Sequence, residues 1–475
     1  MANNQPYDSI EKEFDEMKER YENFIKPLDR IRDIKVNVFY HIVDNKRTKK
    51  ELVEMARETR PFMAKEIWDL LNDFMEFMRN VPEEEGNNYK LLYEGFTPAD
   101  LVKRLLFKRP LVFVGPHDHT ILRFNGEKNV FSSNRAFKVA KTLDNPPDGD
   151  GYCLREYISY DENLLSSLIS MSTPTFYVSD GSISFIGSTE GFKKPHIDQG
   201  ILCGLVGARN TKYSFMEHRF INIRQERQWT GIHLSDQFWI KNVYSEAFPE
   251  GFIPTEANIN ANKKMYEKIY IDRINVVYLE KRLMLSILPY IKEAAARGKE
   301  KMKEVFCSVP PIGGGVWRGN VKAITIHNLI VNGILKFFDQ KFNYEELKML
   351  KAFALPETSL DVYTSFNHSM NIQSIKENAD KMSVTVTFKE PMNHTIKIFN
   401  EIRYVAKPLP VEFEHCLSIA GYAWDGNSYP GNEYWSGDFG SFDPQAIYCS
   451  LLGQFQNPEV NINMANADRI KIYEI

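Results

Sequence analysis

The sequence lacks the cysteine pattern of a disulfide-stabilised protein or of a zinc ribbon. Its 475 residues include only five cysteines, and no two of them form a CxxC pair: Cys153, Cys203, Cys307, Cys416 and Cys449. An odd number of widely spaced thiols is typical of a protein in a reducing compartment. The pattern therefore predicts free thiols, a cytoplasmic location and no transition-metal cofactor.

Long apolar runs and a large net charge are lacking as well. No run approaches the ~18 apolar residues that a membrane span requires, and the polar start, MANNQPYDSIEKEFDEMKER, has no signal-peptide core. The 59 basic and 63 acidic residues give a formal net charge of −4. This balance argues against a chain that binds nucleic acid over its whole surface. We expect neither a membrane span nor a nucleic-acid partner.

Apolar residues, in contrast, are plentiful and regularly spaced. Hydrophobic residues make up 43% of the chain, which is enough for a large core. In the first hundred residues their spacing predicts amphipathic helices: one capped by Asp8, one opened by Pro61, and one capped by Thr97 with Pro98 in its first turn. We expect residues 1–106 to form an N-terminal helical region that carries no catalytic group.

From residue 107 onward, short apolar runs alternate with helical patterns. Helices are predicted after Asp161, at 274–296 and at 321–338, and strands at 111–114, 175–178, 200–207, 220–223, 305–309, 360–365, 384–388 and 417–420. Strands that alternate with helices predict an α/β fold whose sheet is covered on both faces. Residues 107–475 are therefore expected to form one three-layer α/β/α catalytic domain.

A glycine-rich turn lies between a predicted buried strand and a predicted helix; its sequence is Gly313-Gly314-Gly315-Val316-Trp317. Glycines there let backbone N–H groups approach an anion, and the helix N-terminus adds positive potential, so a diphosphate would fit. The spacing is not the P-loop pattern GxxxxGK[ST], and a turn after a mid-chain strand disfavours the dinucleotide fingerprint. A purely structural turn is the alternative, because such turns are common.

A second segment combines aromatic rings, amides and carboxylates after a predicted strand. It contains Trp424-Asp425-Gly426-Asn427-Ser428 and Gly431-Asn432-Glu433-Tyr434-Trp435. Such rings can stack on a base or wall off a sugar, and Asn427 and Asn432 can bind ribose hydroxyls. Asp443-Pro444 follows as the N-cap and first residue of another predicted helix, so a structural role is also available to Asp443.

A third candidate is the pair Arg209 and Glu217. Arg209 follows the apolar stretch 200–207, and Glu217 comes eight residues later. At the end of a strand, Arg209 can hold a phosphate while Glu217 faces the same cleft. A structural salt bridge is an equally good interpretation.

Together these segments resemble the MavL-like atypical macrodomain family of ADP-ribosylhydrolases. The resemblance rests on residues 199–209 with Met216-Glu217, on the Gly313 turn and on residues 424–435, and it suggests coverage from about 110 to 460. It implies a macrodomain-like core in which three acidic residues line an ADP-ribose cleft. The matching carboxylates are Asp425, Glu433 and Asp443, where Glu433 departs from the aspartate of the family pattern.

The resemblance implies an enzyme that removes ADP-ribose from a protein side chain through an N- or O-glycosidic bond. Asp425, Glu433 and Asp443 are the predicted catalytic residues, and ADP-ribose is predicted to contact Arg209, Glu217, Gly313, Gly314, Gly315, Val316, Trp317, Asn427 and Asn432. Arginine is one candidate acceptor, ubiquitin one candidate target, and a host cytosol reached without a cleavable signal peptide is an alternative location, as for an effector.

Two other functions remain alternatives at this point. A non-catalytic ADP-ribose reader would have the same pocket, and a glycoside hydrolase would also use paired carboxylates. We expect no cofactor and no metal at the site, although carboxylates could hold magnesium.

Overall fold

The structure is a computed structural model that describes most of the chain. The described residues are 5–26, 48–81, 88–109, 112–114, 119–124, 127–131, 143–144, 153–177, 197–211, 217–223, 236–249, 256–269, 272–340, 344–366, 370–378, 381–389, 393–403, 408–426, 428–432, 435 and 452–475. Within these ranges no helix has the length and apolar character that crossing a membrane requires.

Within the described residues, the strands form one large mixed sheet and two small antiparallel sheets. The large sheet has ten strands, in the spatial order β12 (Met370–Asn378), β13 (Lys381–Phe388), β14 (Thr395–Asn400), β11 (Leu350–Leu355), β10 (Val305–Ser308), β15 (Leu417–Ala423), β6 (Ile197–Leu205), β5 (Ser170–Tyr177), β1 (Arg60–Ala64) and β16 (Lys471–Tyr473). The small sheets consist of β2 (Val112–Val114), β3 (His119–Phe124) and β4 (Glu127–Phe131), and of β7 (Asn222–Ile223), β9 (Asp272–Asn275) and β8 (Tyr266–Ile269).

Helices connect and cover these strands. They are α1 (Gln5–Ile25), α2 (Lys49–Arg57), α3 (Lys65–Arg79), α4 (Tyr89–Leu92), α5 (Pro98–Phe107), α6 (Tyr160–Ser166), α7 (His218–Ile221), α8 (Asp236–Asn242), α9 (Glu256–Ala261), α10 (Val276–Lys301), α11 (Ala323–Gln340), α12 (Tyr344–Leu347) and α13 (Leu360–Thr364). Short 3-10 turns occur at Ser245–Ala247, Val316–Arg318, Val411–Phe413, Leu452–Gln456 and Ala467–Arg469.

Five neighbouring strands at the centre of the large sheet are parallel: β14, β11, β10, β15 and β6. Cys307 of β10 lies opposite Ile419 of β15, which in turn lies opposite Ile201 of β6. The carboxyl ends of parallel strands meet at one edge of the sheet, and that edge is where open α/β sheets bind ligands. We call it the carboxyl edge.

Both faces of the sheet are covered, because successive side chains of a strand point to opposite sides. On one face, Arg297 of α10 donates hydrogen bonds to the Ser172 hydroxyl at 2.9 and 3.1 Å. On the other face, the Tyr422 hydroxyl donates to the side chain of Gln456, in a 3-10 turn, at 2.7 Å. The predicted α/β fold is confirmed.

Helix α10 is tied to the sheet by a buried ion-pair network as well as by apolar packing. Glu293, fully buried, accepts hydrogen bonds from Arg60 at 2.9 Å and from Arg297 at 2.7 Å. Burial alone would raise the pKa of Glu293, but the two guanidinium groups outweigh it and lower this pKa to about 2. Glu293 is therefore charged at neutral pH.

Most predicted elements are confirmed, but two predicted strands are wrong. Residues 360–364 form helix α13. In a strand, Asp361 and Tyr363 would lie on the same face, but Asp361 is exposed while Tyr363 is buried, so the burial pattern does not alternate. Residues 218–221 form helix α7, and only Asn222 and Ile223 are extended.

Helix starts were also predicted imperfectly. Helix α1 begins at Gln5, before Asp8, and α6 is capped by Ser159, not Asp161, because Ser159 and Glu162 form a reciprocal capping box. The predicted Thr97 cap with Pro98 in the first turn is confirmed.

The N-terminal region is not purely helical. Pro61 lies inside β1, and helix α3 begins only at Lys65. The parallel pairing of β1 with β16 begins at Phe62, so the missing N–H of Pro61 falls outside that ladder. Residues 60–64 thus belong to the large sheet, while the domain boundary at residue 106 stays a prediction.

Candidate functional site

Three adjacent parallel strands carry the segments that the sequence analysis singled out. Strand β6 leads into Gly207 and Arg209, β10 leads into the Gly313–Trp317 turn, and β15 leads into Asp425. All three strands run in the same direction, so these segments meet at the carboxyl edge. This edge is the candidate active site.

The segments after β6 and β10 touch through their backbones. A Cβ atom placed on Gly207 would lie 2.0 Å from the backbone nitrogen of Gly313, closer than any stable contact. Gly313 has φ +72°, in the left-handed region that favours glycine. At the other end of the turn, the Asn210 N–H donates to the Trp317 carbonyl at 2.8 Å. The segment after β6 therefore holds both ends of the glycine-rich turn.

Inside the glycine-rich turn, the residues differ in whether their backbone can be reached by an anion. The Gly314 N–H donates to the Pro311 carbonyl at 2.8 Å, so it already has a partner. Gly315 and Val316 are exposed, with 66% of Val316 accessible. An anion could therefore approach the turn at Gly315 and Val316.

Arg209 joins two of these segments electrostatically. Its side chain is 1% exposed, and its guanidinium carbon lies 5.0 Å from the centre of a Trp317 ring, a cation–π contact. Burial lowers the pKa of Arg209 to about 9, and the charges of Asp425 and Glu217 oppose that shift. The structure thus brings Arg209, Trp317, Glu217 and Asp425 together.

Glu217 takes part in a buried salt bridge whose partner is Arg282, a residue that the sequence analysis did not consider. Its carboxylate accepts hydrogen bonds from the Arg282 side chain at 2.8 Å and from the Arg209 N–H at 3.2 Å. Arg282, on α10, also donates to the carbonyls of Val206 at 3.3 Å and Gly207 at 3.2 Å. The Glu217–Arg282 pair therefore holds the segment after β6 in place. The predicted contact of Glu217 with ADP-ribose stays a prediction.

Asp425 begins the loop after β15 and is partly exposed. Its carboxylate accepts a hydrogen bond from the side chain of Asn432, which is fully buried. Its carbonyl accepts from the Ser428 N–H at 2.9 Å and the Ser428 hydroxyl at 2.8 Å. Asn432 therefore orients the Asp425 carboxylate. The contact of Asn432 with a ribose stays a prediction.

The tryptophans of this loop are covered by protein. Trp424 and Trp435 are 2% and 0% exposed, and their indole N–H groups donate to the carbonyls of Ser428 at 3.2 Å and Pro430 at 2.7 Å. The expectation that these two rings stack on a base is therefore wrong. Instead, Phe24 of helix α1 packs against Trp435, with 5.1 Å between ring centres. The N-terminal helix supports the loop.

Arg109 is a neighbour of this loop that sequence reasoning missed. Its guanidinium carbon lies 4.4 Å from the centre of a Trp424 ring, and its Nε donates to the Leu105 carbonyl. Burial lowers the pKa of Arg109 to about 9, and Tyr429 and Tyr422 oppose the shift. Neither Arg109 nor Arg282 belongs to a sequence motif, so only the structure shows that these residues lie beside the candidate site.

Three predicted site residues, Asn427, Glu433 and Asp443, lie outside the described residues, and their roles stay predictions. Within the described part of the chain, one group of three metal-ligating side chains converges. It lies at the opposite edge of the sheet, away from this site.

Comparisons with known proteins show the family to which this chain belongs. A family model described as ADP-ribosylhydrolase MavL-like matches residues 33–475. The chain is similar to the ADP-ribosylarginine hydrolase CG3568 of Drosophila melanogaster, with 25% identity over 420 residues, covering 85% of this chain and 76% of the relative. It is also similar to the ADP-ribosylarginine hydrolase CG2909 of the same species, with 24% identity over 394 residues, covering 81% and 73%. The resemblance noted in the sequence is thereby confirmed, and the chain belongs to the MavL-like ADP-ribosylhydrolase family.

Proposed function

We propose that this chain hydrolyses the bond between ADP-ribose and an arginine side chain of a modified protein. The observation that carries the proposal is the meeting of Asp425, Arg209 and the glycine-rich turn at the carboxyl edge. Membership of an ADP-ribosylhydrolase family supports the reaction class. The names of the two fly relatives support arginine as the acceptor.

Binding relies on the diphosphate. The exposed backbone at Gly315 and Val316 offers N–H groups to phosphate oxygens, and the following helix α11 adds positive potential at its start. Arg209 contributes a positive charge held in place by Trp317. The absence of a side chain at Gly207 lets the glycine-rich turn approach closely enough to form this surface.

Hydrolysis relies on the carboxylates. Asp425 orients and polarises a water molecule, whose oxygen forms a bond to C1″ of the ribose while the bond from C1″ to the guanidinium nitrogen breaks. The water gives up one proton to the Asp425 carboxylate, and the departing nitrogen keeps the electron pair of the broken bond and takes up one proton, which leaves free ADP-ribose and unmodified arginine. Positive charge develops on the ribose ring, and Asp425, Glu433 and Asp443 stabilise it electrostatically.

The reaction is proposed to need no transition metal and to occur in the cytoplasm. The residues assigned to the site are carboxylates, amides and an arginine, a donor set that suits at most a hard cation such as magnesium. Free, buried thiols at Cys153, Cys203, Cys307 and Cys416 support a reducing location. Adding EDTA tests whether the reaction needs a metal: unchanged turnover supports the proposal, and turnover that is lost and then restored by magnesium would identify a magnesium-dependent reaction.

The test measures free ADP-ribose released from three substrates that carry it on arginine, serine or glutamate, with arginine-modified ubiquitin as a fourth. We expect release from arginine to be at least about 100-fold faster than from serine or glutamate, because removing the right acceptor leaves polar groups of the site unpaired. Equal rates on all acceptors would contradict the arginine assignment. Binding of ADP-ribose without any release would instead identify a reader.

Two variants make the test specific to the site. Asp425→Asn keeps an acceptor for the Asn432 amide but loses the charge, and we expect about 10²–10⁴-fold slower release with an almost unchanged Tm. Asp73→Asn, on the exposed face of α3, is the matched control and should release ADP-ribose at the wild-type rate.

A thermal-shift response to oligosaccharides but not to ADP-ribose would favour a glycoside hydrolase.

A further inference from the structure

At the edge opposite the candidate active site, three side chains of different chemistry converge where β10 and β15 begin. Glu304 immediately precedes β10, and His415 and Cys416 immediately precede β15. The Leu417 N–H donates to the Glu304 carbonyl at 2.7 Å, so the backbone holds the two strand starts side by side. One ligand atom from each of the three side chains lies within 4.8 Å of the others.

Two of the three separations between these atoms match those of a tetrahedral metal site. Nε2 of His415 lies 3.2 Å from Oε2 of Glu304 and 3.7 Å from Sγ of Cys416. For zinc bonds of about 2.3 Å to sulfur and about 2.0–2.2 Å to nitrogen and oxygen, tetrahedral angles put N and O about 3.4 Å apart and N and S about 3.6 Å apart. The observed separations differ from these values by about 0.2 Å or less, the tolerance expected for metal-site distances.

The surroundings of the cluster provide a supporting shell and an entry path. Lys351 contacts the other oxygen of Glu304 at 3.3 Å, which orients the carboxylate in the way that outer partners orient metal ligands. Cys416 is buried among Phe306, Phe399 and Phe413, so one side of the cluster is dry. His415 is exposed, so a cation can enter from solvent.

We propose that Glu304, His415 and Cys416 bind a zinc ion, with water as the fourth ligand. A thiolate, an imidazole and a carboxylate form a mixed set that favours zinc over magnesium or calcium. On binding, the bond from zinc to Cys416 replaces the S–H bond, and the proton is released to solvent. The ion links the starts of two central strands, so its binding stabilises the folded chain.

This proposal departs from the expectation of no transition metal, which stays a prediction for the candidate active site. Glu304 and His415 are 111 residues apart, so no ligand-spacing motif can reveal them in the sequence. The proposal is independent of the hydrolase function, because the cluster lies at the other edge of the sheet from Asp425.

The test uses the full chain, freed of metal by a chelator and then titrated with Zn²⁺ in a calorimeter and with Co²⁺ in a spectrophotometer. We expect one ion per chain, a rise in Tm with zinc, and a sulfur-to-cobalt charge-transfer band in the near ultraviolet. His415→Ala changes an exposed residue and should fold; it should weaken zinc binding at least about 100-fold, since even outer-shell changes cost 10–100-fold. Cys416→Ser should abolish the charge-transfer band.

Two control variants separate this cluster from other thiols and imidazoles. Cys153→Ser and His327→Ala should keep both the zinc affinity and the cobalt band. If Cys416→Ser does not fold, the zinc affinity of His415→Ala still tests the proposed site. Zinc binding of the wild-type chain that His415→Ala leaves unchanged would overturn the proposal, and so would a cobalt complex without a sulfur band or no binding at all.

Discussion

Replacing Gly207 by alanine tests whether the contact between the segments after β6 and β10 builds the site. The added Cβ would lie 2.0 Å from the Gly313 nitrogen and 2.5 Å from its Cα. To reach an ordinary contact of about 3.4 Å, the turn must retreat by about 1.4 Å. Overpacking of this kind costs about 1–3 kcal/mol of folding free energy, which a chain of this size can tolerate. A misplacement of about 1 Å costs about 10²-fold in rate.

We therefore expect the Gly207→Ala protein to fold and yet to lose about 100-fold in turnover of an ADP-ribosylated arginine substrate. Calorimetry with ADP-ribose should show weaker binding of the product in parallel. Gly333→Ala, in helix α11, is the matched control, because the three atoms nearest to its added Cβ would all belong to the flexible Met284 side chain, with Sδ 2.3 Å away. A folded Gly207→Ala protein with normal affinity and turnover would refute the assignment of the glycine-rich turn to the diphosphate.

Three further predictions address the groups around the site and the core. Arg209→Lys keeps the charge but loses the planar contact with Trp317, so ADP-ribose affinity in calorimetry should fall by about tenfold, in line with the ~1–2 kcal/mol of a desolvated cation–π contact. Phe24→Ala should lower stability in urea by about 3–5 kcal/mol and also slow turnover, whereas a loss of stability alone would contradict the support of the Trp435 loop by α1. Glu293→Gln leaves buried guanidinium groups without their carboxylate and should cost about 3–5 kcal/mol at neutral pH. Because the pKa of Glu293 is lowered from 4.5 to about 2, its stabilisation is present above about pH 4.5 and lost as pH falls toward 2. The difference between the two proteins in urea unfolding should therefore shrink over that range.

The sequence predicted those parts of the fold in which local pattern and tertiary environment agree. The apolar run 200–207 and the run 305–309 are central strands β6 and β10, since strands buried on both faces are continuously apolar. Strand β16, Lys471–Tyr473, could not be predicted, because this short edge strand is paired only with β1 and is not fully buried. Its existence depends on a partner about 400 residues away, which no local window contains.

The candidate site was predictable to a similar degree and for a related reason. Gly313 follows a predicted strand in a glycine-rich turn, a pattern that suits a diphosphate as well as a purely structural turn, and Asp425 was singled out by the family resemblance. Arg282 and Arg109 were not predictable, because their role follows from burial beneath loops that come from elsewhere in the chain. Trp435 misled the prediction because a tryptophan in a glycine-rich loop is equally suited to anchoring that loop in a core.

The pairing of β1 with β16 also joins segments of the chain that are made at very different times during synthesis. Residues 60–64 leave the ribosome about 400 residues before their parallel partner, residues 471–473, is made. Helix α1 likewise contacts late segments, through Phe24 with Trp435 and through Arg20, which donates to the Val460 carbonyl at 3.0 Å. Until residues 471–473 are made, β1 can pair only with β5 (Ser170–Tyr177), so its other edge stays open. The aromatic face of α1 stays uncovered until residue 435 is made, and chaperones commonly shield such surfaces during translation.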